Sequence, residues 1–159
     1  MVKASELEKL AQSQYSPGII DNNEELLRLL FSPIHWDEEN EMVVPAAFQR
    51  KELNERGVSV QRQKYTSKDF IAKKADQIGQ SRSDKRFVGV ISTKCRLIRN
   101  IQDDKCQQCF SVLDTSNKDN IGHADIYFSQ SYPKPLQLKL REKLINAFGK
   151  LVQLSEAYP

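Results

Sequence analysis

The chain has 159 residues, a length that suits one ordinary domain. Hydrophobic residues make up 39% and charged residues 28%, and Lys and Arg exceed Asp and Glu by 24 to 21. That balance excludes a membrane span, a collagen or coiled-coil rod and a disulfide-dense toxin, but it names no reaction.

The N-terminus reads Met1-Val2-Lys3-Ala4-Ser5-Glu6-Leu7, without the apolar stretch of a secretory signal. With three cysteines, an odd number, the expected compartment is the reducing cytosol. The modest net charge hides an asymmetry. Residues 1–45 carry 3 basic and 9 acidic side chains, residues 46–105 carry 15 and 7, and residues 106–159 carry 6 and 5. A middle segment of +8 can face phosphates, or its charges can spread over a solvated surface and pair with the acidic first segment. The second account is the expected one.

In chain order, Ser5 to Ala11 reads as a short helix with Leu7 and Leu10 inward. Ser16-Pro17-Gly18 is a turn. Asp21, Asn22 and Asn23 offer helix caps, and Glu24 and Glu25 suit a helix N-terminus. The dense run Leu26, Leu27, Leu29, Leu30 and Phe31 then predicts a helix over 22–31, stopped by Ser32-Pro33. Asp37 to Glu41 is an acidic turn, and Pro45-Ala46-Ala47-Phe48 can start a helical turn. Arg50 to Gly57 is polar and expected on the surface.

Val58-Ser59-Val60-Gln61-Arg62 alternates as a half-buried strand does. Thr66 or Ser67 caps a helix with Phe70, Ile71, Ala75 and Ile78 on one side. After the basic loop Gln80 to Arg86, Phe87 to Ile91 is the strongest strand signal, and Ser92 or Thr93 can cap a short helix through Ile98. Phe110 to Leu113 and Ala124 to Phe128 are strands. Pro133-Lys134-Pro135 opens a last helix with Leu140, Leu144, Phe148 and Leu151 on its apolar side. The closing strands are joined too tightly for a parallel crossover. The expected class is therefore α+β: a small mixed or antiparallel sheet packed with helices, divided as an N-terminal helical extension (1–33) and one α+β domain (34–159) ending in an amphipathic helix.

Several constellations carry potential chemistry. Cys106-Gln107-Gln108-Cys109, with Cys95 and His123, supplies four soft ligands for a structural zinc ion. The spacing is poor and Asp103 and Asp104 disfavour thiolate, so ordinary reduced cysteines are expected, with no cofactor. His35, in Ile34-His35-Trp36-Asp37, and His123, in Gly122-His123-Ala124-Asp125, are the two histidines. If they converge with Ser59 or Arg62 in one cleft, an acid–base or phosphate-handling site results. Otherwise Trp36 is a core anchor and His35 a hydrogen-bonded edge residue. Trp36, Lys73, Lys74, Arg82, Lys85 and Arg86 are the binding candidates, the basic ones interleaved with Tyr65, Phe70 and Phe87 as a surface for single-stranded nucleic acid requires. No nucleotide-cradling glycine motif is present.

His35-Trp36-Asp37, Val44-Pro45-Ala46-Ala47-Phe48, Val58-Ser59-Val60 and His123-Ala124, in that order and spacing, resemble a family of small uncharacterised bacterial proteins. The resemblance spans about three-fifths of the chain, leaving out the N-terminal helices and the last helix. Family members usually carry a basic residue near the His35 position and lack the cysteine pair, so the Cys106–Cys109 pair is a departure. The resemblance implies that His35, Trp36, Phe48, Ser59 and His123 belong to one constellation, and it brings over no catalytic residue.

Three function classes follow. The first is a cytosolic accessory or interaction module with a protein partner, or a nucleic acid, and no membrane. The second is a small enzyme for a phosphorylated or nucleotide-like ligand, with His35, Ser59, Arg62 and His123 in its pocket. The third is a structural zinc protein.

Overall fold

A computed structural model describes residues 3–159. The α+β class is the one observed: a five-stranded antiparallel sheet with helices against it, plus a two-stranded hairpin. The first helix, α1 (Ala4–Leu10), precedes β1 (Glu25–Ser32). A hairpin of β2 (Trp36–Asp37) and β3 (Met42–Val43) leads to a 3-10 turn over Pro45–Phe48 and to α2 (Arg50–Asn54). Then come β4 (Val58–Arg62), α3 (Lys68–Ser81), β5 (Arg86–Lys94) and α4 (Cys95–Arg99). The chain closes with β6 (Phe110–Asp114), β7 (His123–Phe128), α5 (Lys134–Ala147) and α6 (Leu154–Ala157). The strand order is β5-β1-β4-β7-β6.

The helix expected over 22–31 is not formed; Glu25–Ser32 is instead a strand lying between β5 and β4. Leu26 and Leu30 enter the larger core, whereas Leu27 enters a second core on the other side of the sheet. A strand covered on both faces reads as an unbroken apolar run, which periodicity does not separate from a buried helix. Residues 25–32 thus belong to the sheet, and helix within the expected 1–33 extension is confined to Ala4–Leu10; residues 1 and 2 lie outside the described residues. In α1 it is Ala4 that is buried, while Leu10 points to solvent.

The larger core takes Val58 and Val60 from β4, Ala124 and Ile126 from β7, and Phe110 and Val112 from β6. Leu140 and Leu144 of α5, Ile98 of α4 and Leu53 of α2 close it, so the polar stretch 50–57 hides one core leucine. The second core, Leu27, Val90 and Ile71, is covered by α3 and by the C-terminal segment through Val152 and Leu154. Ser67 caps α3 by accepting from the Phe70 N–H at 3.1 Å, as one of the two expected caps.

Both sheet edges are occupied. Val152 exchanges two 2.9 Å hydrogen bonds with Val90 of β5. Gly89 makes this approach feasible: its φ is +142°, and a Cβ there would lie 2.4 Å from the Val152 carbonyl oxygen. At the other edge, the Ser13 N–H donates to the Asp114 carbonyl at 3.1 Å and the Ser13 hydroxyl to that of Ser116 at 2.6 Å. Among the described residues, no helix is long and apolar enough to cross a membrane.

Candidate functional site

The polar groups that converge sit on β4, β7 and the end of β6. Register places Ser59 opposite Asp125 and Gln61 opposite His123. His123 and Asp125 are two apart on β7, so both point to one face, and Ser59 lies diagonal to His123. Asp114 pairs with Ala124, which brings Thr115, the next residue, beside His123. The result is a closed ring. His123 Nδ1 lies 2.7 Å from Thr115 Oγ1, and His123 Nε2 lies 3.3 Å from Ser59 Oγ. The Thr115 hydroxyl donates to Asp125 Oδ2 at 2.7 Å, and the Ser59 hydroxyl is 3.1 Å from Asp125 Oδ1. Ser59 is exposed, the His123 side chain is 21% exposed, and Asp125 is buried.

Proton arithmetic decides which of the four contacts of this ring hold at once: only an imidazolium supplies four hydrogens for them. Each hydroxyl has one hydrogen to donate, and each imidazole nitrogen donates only when protonated. With both hydroxyls donating to Asp125, both nitrogens must donate, which is the imidazolium. Neutral His123 leaves one contact without a hydrogen. With Nδ1–H donating to Thr115, Thr115 donates to Asp125 and Ser59 to Nε2, and the Ser59–Asp125 contact is unmade. With Nε2–H donating to Ser59, Ser59 donates to Asp125 and Thr115 to Nδ1, and the Thr115–Asp125 contact is unmade.

Ser59 and His123 therefore meet as the pocket reading requires, but the other two members do not join them. His35 lies at the opposite end of the sheet. The His123 row continues through Gln61 to Leu27, and Phe31, to which His35 is bonded, is four residues or roughly 13 Å further along β1. His35 Nδ1 accepts the Phe31 N–H at 3.2 Å, and the ring stands edge-on to Phe31. Burial, with Arg28 and then Lys85 as lesser causes, pushes its pKa down to about 4, so it is neutral. It is the hydrogen-bonded edge residue, and half-buried Trp36 packs against the larger core.

Arg62 is a correction of the same kind. It is completely buried, the largest such side chain, on the opposite face from the ring. Nε and Nη2 grip Glu24 at 2.8 and 2.7 Å. Nη1 donates to the Gly18 carbonyl at 2.9 Å and to Asp114 at 3.3 Å, and Nη2 also donates to the Ile19 carbonyl at 3.2 Å. All five N–H groups are used. Gly122, beside His123, is likewise a packing residue, because a Cβ there would come 2.1 Å from Thr66 Oγ1.

The zinc set does not assemble. Cys95 is buried on α4 with its thiol pushed up to about 12 by burial; Cys109 is buried and Cys106 exposed. Among the described residues, no three or more His, Cys, Asp or Glu side chains are grouped to hold a metal.

The basic candidates lie apart from the ring. Lys73, Lys74 and Arg82 are exposed on α3 and just past it, Lys85 is half-buried, and Arg86 pairs with Glu38. Two of their aromatic neighbours are engaged elsewhere: Phe87 packs on Phe31 and against the second core, and Tyr65 lies 4.7 Å from the Arg62 guanidinium.

Sequence reasoning missed Thr115 and Arg28. Arg28 donates from Nη2 to the Ala47 carbonyl at 2.9 Å and from Nη1 to the Ser59 carbonyl at 3.1 Å, tying the Pro45–Phe48 turn to the strand that carries Ser59. The His-x-Asp spacing of 123 and 125 on a strand was the available signal for Asp125; Thr115 carried none, since only strand pairing brings it in.

The class of protein defined here is an α+β fold whose five-stranded antiparallel sheet carries a hydroxyl–imidazole–carboxylate ring on one face. No family model, no curated protein and no solved structure matches the chain.

Proposed function

We propose that this chain is an accessory or interaction module that binds a protein partner through the open half of its sheet. The observation that supports this is where side chains stay accessible. Leu27 and Val90, on one half of that face, are covered by α3 and the C-terminal segment. Ser59 on the other half is exposed, and Leu113, Thr115, His123 and Tyr127 are only partly buried. One wetted face is ordinary for an antiparallel sheet. Recognition is favoured because these groups are fixed on rigid strands by the ring, so binding would order little. The three free thiols fit a reducing, cytoplasmic setting.

Nucleic acid is the less supported partner. Three ion pairs, Glu8–Arg99, Glu24–Arg62 and Glu38–Arg86, each join an acid of the first segment to an arginine of the middle segment. Much of the charge asymmetry is thereby folded back on itself.

A photo-crosslinking residue placed at 59 or 115, compared with one at the exposed position 139 on α5, tests the reading. The sheet positions are expected to capture one common polypeptide that position 139 does not. Once purified, that polypeptide should bind the wild-type chain and lose at least tenfold in affinity for Ser59→Arg. Equal capture from both faces, or unchanged affinity, overturns it. Oligonucleotide binding that falls steeply with salt and is lost in Lys73→Glu/Lys74→Glu would move the function to nucleic acid instead.

The convergence of Ser59 and His123 favours a second reading, a small enzyme.

A further inference from the structure

We propose that Ser59 is a nucleophilic hydroxyl with His123 as its general base, acting on an activated acyl group such as an ester presented to the open sheet face. This goes beyond the binding reading and stands on different observations.

A serine hydroxyl is a weak nucleophile unless a base takes its proton as it attacks. His123 Nε2 is that base, 3.3 Å from Ser59 Oγ, just beyond the usual hydrogen-bond reach and within the looseness of an unliganded site; the hydroxyl turns to it from its other acceptor, Asp125 Oδ1 at 3.1 Å. The base must present the right nitrogen. A hydrogen on Nδ1 is held by Thr115 Oγ1 at 2.7 Å, and Thr115 in turn donates to Asp125 Oδ2 at 2.7 Å. The carboxylate thus acts through an inserted hydroxyl; its own distance to Nδ1 is 3.7 Å. Thr115 and Asp125 are positioning residues: while Thr115 donates to Asp125, Nδ1 must carry the hydrogen and the Nε2 lone pair faces the serine. Asp125 is buried and every member stands on or beside a paired strand, so the geometry is held by the sheet. Ser59 itself is exposed, which leaves Oγ open to a reactant.

The step balances without any further reagent but water. Oγ bonds to the acyl carbon as its proton passes to Nε2. The bond to the leaving oxygen breaks, and that oxygen takes the proton from Nε2. Water then attacks the acyl-serine, His123 removes its proton and returns one to Oγ, and a carboxylic acid leaves.

The full-length chain treated with a fluorophosphonate tests this. Oγ forms a P–O bond, fluoride departs, and the Oγ proton goes to Nε2. Intact mass and peptide mapping are expected to show one adduct, on Ser59, and none in Ser59→Ala. His123→Ala should slow labelling by roughly 100-fold or more, the scale of a lost general base, and added imidazole should restore part of it. Thr115→Ser should label at close to the wild-type rate and Thr115→Val more slowly, with unchanged circular dichroism in both. Failure of the folded wild type to label at Ser59 overturns the proposal. So does labelling that His123→Ala leaves unchanged, or an adduct mapping elsewhere. None of these outcomes bears on the crosslinking result at the same face.

Discussion

Arg62 shows how a residue suited to a pocket by sequence becomes a structural member. Its charge is buried with two carboxylates, Glu24 and Asp114, and each of its N–H groups has an acceptor. Such a pair contributes modestly when intact, but removing one partner leaves the others buried and unpaired. Arg62→Met is therefore expected to cost about 3–5 kcal/mol, read from the denaturant midpoint. Adding Glu24→Gln and Asp114→Asn should recover part of that loss. His35 contributes one part of the pH dependence. Its folded pKa of about 4 lies below the ordinary histidine value of 6.5. Between those values the unfolded chain binds a proton that the fold does not, so stability contributed by neutral His35 is present above about pH 6.5 and lost as pH falls toward 4. Denaturation of wild type and His35→Gln at pH 7 and pH 5 checks this: the drop on acidification should be smaller in the variant.

Among the elements, β1 is the one whose type reverses. Its sequence between Glu24-Glu25 and Ser32-Pro33 has helix-like punctuation and leucines, which are unbranched at Cβ and favour a helix locally. Two flanking strands and two cores override that preference. Leu30 is fully buried in the larger core, and Leu30→Ala is expected to cost about 2–5 kcal/mol by the same denaturant measurement. By contrast, α3 follows its local signals: Ser67 caps it, and Ile71 and Ala75 are its buried side. Losing the cap in Ser67→Ala should cost about 1 kcal/mol, a difference the two melting curves would resolve.

For the whole molecule, the sheet is protected at its margins by segments distant in sequence. The C-terminal stretch bonds to Val90 along the outer edge of β5 and lays Val152 and Leu154 on the second core. A chain ending at Gly149 would expose both a free strand edge and apolar surface, a combination that promotes association. Its expected signature is a shift to higher-mass species on gel filtration and increased binding of a hydrophobic dye; a monomer with wild-type dye binding would contradict that account. The larger core, built around α5 and the other sheet face, would lose half-buried Leu151 with this segment but keep Leu140, Leu144 and Phe148.

The sequence by itself determined the α+β class, strands β4 to β7, α3 and the last long helix. In these, alternation, helical spacing or end signals mark the element, although the last long helix stops at Ala147 and leaves Leu151, expected on its apolar side, in the segment beyond it. It also brought Ser59 and His123 forward as site residues, and the histidine–aspartate spacing on one strand was there to be read. Only the tertiary structure decided that 25–32 is a strand, because a run apolar on every side fits either element until its neighbours are placed. Only strand pairing brought Thr115 into the ring, sent His35 to the far end of the sheet and turned Arg62 inward to its carboxylates. Those outcomes depend on partners about 40 to 100 positions apart in the case of Arg62 and the margins, and no local pattern carries them.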